Sequence, residues 1–176
     1  MYSVIILAEQ ALSPADASEV VNLHDGIEDE RRYFILIPAE NAQLRVEAAL
    51  GSLGASDTWA SPGVDLDGTE TRAVQESLDA QAQEAVMKSV EAVRALGHLA
   101  AGQFRADDPV DSLADLVATE NADEVIVMTR PHVVQEFFHL DWTSKARRRL
   151  GVPVLHLVEH EDPSAEASTG QGITGM

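Results

Sequence analysis

Apolar residues in this chain follow two patterns: short unbroken runs, and longer stretches where they recur every three or four positions. Val4-Ile5-Ile6-Leu7 is an unbroken run. A run with no polar alternation suits a strand covered on both faces, so this segment predicts a central strand. Arg31-Arg32-Tyr33-Phe34-Ile35-Leu36-Ile37-Pro38 predicts a second strand, a parallel neighbour of the first. It is rich in aromatic and β-branched residues and stops at a proline, which cannot donate to a ladder. His98–Phe104 reads as a weaker third strand, Glu124-Val125-Ile126-Val127-Met128 as a fourth, and Pro153-Val154-Leu155-His156-Leu157-Val158 as a fifth.

Helical spacing fills most of the intervals. Ser13-Pro14 is a helix-start signal, with Ser13 as N-cap and Pro14 in the first turn, leading into a short helix from Ala15 to Leu23. Leu78, Ala82, Ala85, Val86, Val90, Val93 and Leu96 recur on one face of a long helix from Thr71 to Leu96, which Gly97 closes. Asp108-Pro109 opens another helix running through Glu120, with Leu113, Leu116 and Val117 on its inner face. Val134, Phe138, Trp142, Ala146 and Leu150 stand at four-residue steps in a helix over 133–150 and predict a stripe lying on the sheet. Five apolar strands separated by helices predict an α/β fold: a five-stranded, parallel, doubly wound sheet with helices on both faces.

Two regions break the pattern. Residues 39–70 carry Gly51, Gly54, Pro62, Gly63 and Gly68, with helical spacing only over 42–50, and read as an irregular insertion. Residues 159–176 lose periodicity among Glu, Asp, Ser and Gly and read as a disordered acidic tail. One domain spanning 1–158 is expected, since 176 residues suffice for a single core.

Composition removes several function classes. The net charge of −18 argues against DNA, RNA and anionic lipid as partners, because those reward a basic surface. No apolar run approaches the roughly 18 residues that a bilayer crossing needs. Met1–Ala8 has no basic region before its apolar stretch, so it reads as a strand rather than a leader, and a cytoplasmic location is expected. The absence of cysteine excludes disulfides, thiolate metal sites and thiol nucleophiles.

Candidate chemistry concentrates after the fourth strand, where Thr129-Arg130-Pro131-His132 occupies a strand end of the kind that holds ligands in open α/β sheets. Two readings stand. Arg130 is an anion clamp and His132 an acid/base or hydrogen-bond donor, or both are caps and surface contacts of the next helix. His132, His139 and Asp141 share no helical face, so no metal site is assigned. Lys145-Ala146-Arg147-Arg148-Arg149 complements a helix carboxyl end or recognises phosphate. Phe137, Phe138 and Trp142 belong to a core or shape a pocket. His24, His98, His156 and His160 are expected in packing or interfaces. No G-x-S-x-G elbow, H-E-x-x-H helix, P-loop or G-x-G-x-x-G turn is present, so no catalytic residue is assigned.

Asn121-Ala122-Asp123-Glu124-Val125-Ile126-Val127-Met128 and Gly151-Val152-Pro153-Val154-Leu155, together with Val4–Ala8, resemble the universal stress protein family, and the likeness is strongest over Gly97–Val158. In ATP-binding members the fourth strand leads into a G-x2-G-x9-G-[ST] loop whose backbone amides cradle phosphate. Here Thr129 and His132 stand at the first two glycine places, and the third falls at Asp141 or Trp142. A β-carbon at those places crowds the approach to phosphate, and Asp141 would repel it. Thr143 matches the terminal Ser/Thr, and Glu9 the acid that follows strand one on the adenine side. The resemblance therefore implies ligand contacts from Glu9, Thr129, Arg130, His132 and Thr143, with no cofactor assigned and with ATP or AMP as the nucleotides to test.

The family also pairs through its terminal strand, which implies a homodimer through Val154, Leu155, His156 and Leu157. The leading expectation is a non-catalytic, stress-associated small-ligand sensor or protein-interaction module that does not bind ATP in the family's usual way. The alternatives are adenine-nucleotide binding through an altered loop, and an α/β enzyme acting on an anionic small molecule through Arg130 and His132.

Overall fold

A computed structural model of the chain describes residues 1–39, 69–129 and 148–160. In chain order the elements are β1 (Tyr2–Ala8), α1 (Pro14–Asn22), β2 (Arg31–Pro38), α2 (Thr69–Ala95), β3 (Leu99–Arg105), α3 (Pro109–Glu120), β4 (Glu124–Thr129) and β5 (Val154–Val158). Each lies within about two residues of the segment its sequence pattern predicts. The helix expected over 133–150, the short helix over 42–50 and the tail beyond His160 lie outside the described residues, apart from a helical turn at 148–150.

The strands form one five-stranded sheet in the order β3-β2-β1-β4-β5, and every pairing is parallel. β1 is the centre, as its unbroken apolar run requires. Val4, Ile6 and Ala8, with Tyr33, Ile35, Ile126 and Met128, face α1 and α2 through Ala17, Val20, Val86, Val90 and Val93. Ile5 and Leu7, with Leu36, Val125 and Val127, face α3 through Leu113 and Leu116, and meet Leu150. Alternate residues of one strand thus enter two separate cores, and helices cover both faces. Each fully buried Val, Leu or Ile contributes about 1.5–3 kcal/mol of transfer free energy, so β1 and β4 anchor the fold.

Local chemistry sets the element ends. The Ser13 side chain accepts from the Asp16 amide while the Asp16 carboxylate accepts from the Ser13 amide, a reciprocal capping box with Pro14 in the first turn. Asp108 caps α3 without a reciprocal bond, accepting from the amides of Val110 and Asp111. Asn121 closes α3 in the left-handed region at φ 46°, and Gly97 at φ 88° follows α2. That turn also accounts for one difference from the periodicity: Leu96, expected on the inner face of the long helix, is 42% exposed because the helix has already ended at Ala95.

Gly102 marks the closest approach of β3 to its neighbours. A Cβ there would lie 2.9 Å from the Ile35 carbonyl oxygen and 3.0 Å from Val86 Cγ1. At the amino ends of the strands, buried His24 places Nδ1 2.9 Å from the Val20 carbonyl oxygen and Nε2 3.2 Å from Glu124 Oε2. The Tyr2 hydroxyl donates to the same Glu124 oxygen at 3.1 Å. Tyr33 lies against both His24 and His98, with ring centroids 5.8 and 5.7 Å away. His24 and His98 therefore have packing roles, as their sequence context suggests.

Glu159 and His160, the first two residues of the expected tail, make defined contacts with the domain. Glu159 is buried, and its amide donates to the Thr129 carbonyl at 2.9 Å. His160 is held on α1 by two contacts to Asp16. The chain thus runs two residues beyond β5 before its last described position.

Candidate functional site

The chain fills the sheet outward in both directions from β1 and β4, so these two strands flank the point where the winding reverses. In a doubly wound sheet the connections leave opposite faces there and open a crevice at the carboxyl ends. Register places Ala8 beside Met128, so Glu9 and Thr129 emerge side by side at its mouth. Both were singled out in the sequence, and the structure brings them together. Arg130, His132 and Thr143 lie outside the described residues, as do His139, Asp141, Phe137, Phe138 and Trp142.

The segment from Glu9 to Ser13 leads from the carboxyl end of β1 to α1 and is anchored on α2. The Leu12 amide donates at 2.9 Å to Oγ of Ser89, a residue on α2, and that hydroxyl donates at 2.7 Å to the Ala85 carbonyl. Ser89 is fully buried. A polar residue inside the apolar stripe of α2 thus fixes the first loop of the site, a role helical spacing alone does not reveal.

Thr129 does not offer its side chain to the crevice. It is buried, and its Oγ1 lies 2.8 Å from His156 Nε2 on β5. Burial lowers the His156 pKa, which favours the neutral ring. A neutral ring with Nε2 as acceptor receives a hydrogen bond from the Thr129 hydroxyl and ties β4 to β5.

Of the β5 residues expected at a dimer interface, Val154 is buried in the chain's own core and Leu157 packs against the α1 and α2 side of the sheet. β5 is nonetheless an edge strand, and Leu155 and Val158 are its exposed apolar side chains, at 36% and 43%.

One constellation has no counterpart in the sequence reading. Asp16 and Glu19, one helical turn apart on α1, converge on His160 from beyond β5. The two acids at i and i+3 are visible in the sequence, but their third member lies 144 residues away from Asp16. Burial pushes the Asp16 pKa up, but hydrogen bonds from His160 and Ser13 outweigh it and hold the carboxyl below its ordinary value. The hydrogen bond to Asp16 raises the His160 pKa.

This order of strands, with helices on both faces, defines a doubly wound parallel α/β protein, and solved structures show which kind. No protein-family model matches the sequence, and no curated protein matches it significantly. The structure is similar to a universal stress protein family member from Burkholderia pseudomallei, with a TM-score of 0.50 and 11% identity over 89% of this chain and 96% of that one. It is also similar to a universal stress protein family protein from Arabidopsis thaliana with AMP bound, with a TM-score of 0.50 and 15% identity over 94% and 98% of the two chains. A third is a universal stress protein in complex with cAMP, with a TM-score of 0.50 and 11% identity over 90% and 98%. The likeness is one of fold: the chain has the universal-stress-protein-like α/β architecture.

Proposed function

We propose that this protein is a non-catalytic, stress-associated small-ligand sensor or protein-interaction module of the universal stress protein type. Its ligand sits at the carboxyl ends of β1 and β4. The observation that carries this reading is the reversal of strand order between those strands, which sets Glu9 beside Thr129 at the mouth of a crevice. Arg130 and His132 follow Thr129 directly in the chain and supply cationic and hydrogen-bonding groups suited to an anion.

ATP is not held in the family's usual way in this reading. Thr129 and His132 stand where glycine would let the backbone approach phosphate. A second reading, adenine-nucleotide binding through an altered loop, is favoured by the similar structures solved with AMP and with cAMP.

Thermal unfolding of ligand-stripped protein with saturating ATP, AMP and Mg²⁺ separates the two. A ligand at about 100 times its Kd adds about 2.7 kcal/mol, roughly 5–10 °C for a domain of this size. The sensor reading predicts no shift of that order with Mg-ATP. A full shift with ATP would overturn it in favour of the second.

A further inference from the structure

Outside the β1–β4 crevice, the most concentrated metal-ligating chemistry among the described residues is the Asp16–Glu19–His160 cluster. Its geometry is independent of the ligand-sensor reading. One ligand atom from each residue lies within 4.8 Å of the others. His160 Nδ1 is 2.9 Å from Asp16 Oδ1 and 3.6 Å from Glu19 Oε2. Ions bound at about 2.0–2.2 Å hold their ligands roughly 3–3.5 Å apart, so the two distances to His160 already lie close to that spacing.

The carboxylates are built for a cation. Asp16 is only 2% exposed, and its Oδ2 is fixed by the Ser13 amide at 3.0 Å and the Ser13 hydroxyl at 2.6 Å. Those bonds aim Oδ1 at His160, as outer-shell partners orient a metal ligand. The His160 amide donates to the same Oδ1 at 2.8 Å and locks the residue over α1. Glu19 Oε2 is shielded from solvent and accepts no hydrogen bond. Two carboxylates turned inward with one oxygen unsatisfied need positive charge between them. A divalent ion held between Asp16 Oδ1, Glu19 Oε2 and His160 Nδ1 supplies it.

We propose that Asp16, Glu19 and His160 bind a first-row divalent cation such as Zn²⁺, with Asp16 Oδ1, Glu19 Oε2 and His160 Nδ1 as ligands and water completing the shell. Imidazole with two carboxylates suits such an ion better than Mg²⁺, which prefers an all-oxygen octahedron. The half-exposed imidazole borders an open groove lined by Ala15, Ser18, Asn22 and Leu23, which gives the ion a path in. Bound there, the ion clasps the chain beyond β5 to the start of α1.

Calorimetric titration of metal-stripped, full-length protein with ZnCl₂ near pH 7.5 tests this, with the His160→Ala and Glu19→Gln variants alongside. Both residues are solvent-accessible, so neither variant threatens folding, and circular dichroism checks that. The expected result is one saturable Zn²⁺ equivalent per chain that each variant weakens by about tenfold or more. Mg²⁺ should not compete. No saturable equivalent, or one that His160→Ala leaves unchanged, would overturn the site.

Discussion

Replacing Ser89 with alanine removes the hydroxyl that holds the first loop of the candidate site. In the native chain that oxygen is fully buried, accepting from the Leu12 amide at 2.9 Å and donating to the Ala85 carbonyl at 2.7 Å. Ala85 keeps its helical partner, but the Leu12 amide is left in the core with no acceptor. An unsatisfied buried donor costs about 1–3 kcal/mol. Alanine recovers about 0.5 kcal/mol of that through helix propensity. The net loss is about 0.5–2.5 kcal/mol, or roughly 1–10 °C in Tm for a chain of this length. Urea unfolding measures the first quantity, and hydrogen exchange at the Leu12 amide reports the local one. The chain from Glu9 to Leu12 should loosen, so ligand affinity at the crevice should fall along with stability. A variant with wild-type stability and undiminished Leu12 protection would refute the idea that Ser89 positions the loop.

Three further outcomes follow from the same structure. Gly102→Ala should destabilise the protein by about 1–3 kcal/mol in urea unfolding, because the new Cβ meets the Ile35 backbone oxygen at 2.9 Å and neither strand can yield cheaply. The Asp16–His160 contact gives a pH signature. Asp16, with its folded pKa below 3.8, contributes stability that is present above that value and lost as pH falls through the folded value. His160, raised above 6.5, contributes stability present below 6.5 and lost as pH rises through its folded value. Asp16→Asn should flatten both limbs of a Tm-against-pH curve in metal-free buffer, and an unchanged curve would rule the pair out as their source. Light scattering should give about twice the chain mass if β5 mediates pairing. Leu155→Asp should then reduce it, since Leu155 is exposed on that edge whereas a charge at Leu157 would also damage the core.

The legible parts of the fold were those whose causes are local. Val4–Leu7 and Val125–Met128 are apolar on both alternating faces, which only a strand buried on both sides requires, and both proved central. Ser13-Pro14, Asp108-Pro109 and Gly97 signalled element ends because capping bonds and positive φ act within one turn. Side-chain partnerships across the sheet were not legible. Thr129 looked like a ligand contact from its place after β4, but the adjacency of β5 turns its hydroxyl to His156. Helical spacing gives Ser89 no distinguishing mark, although it is the acceptor for an amide 77 residues earlier. His160 had no visible company because Asp16 and Glu19 reach it only after the chain has wound through all five strands.

Amide chemical-shift mapping of isotopically labelled protein locates where ligands enter, and the carboxyl ends of β1 and β4 are the expected place. A panel of AMP, cyclic AMP, ATP and inorganic phosphate should include at least one member that moves the amides of Ala8, Glu9, Gln10 and Thr129 together. Those of Tyr2, His24 and Glu124, at the opposite end of the sheet, should stay still. Shifts centred on the amino ends, or no response at the β1 and β4 exits to any member of the panel, would rule out a ligand site at the carboxyl ends.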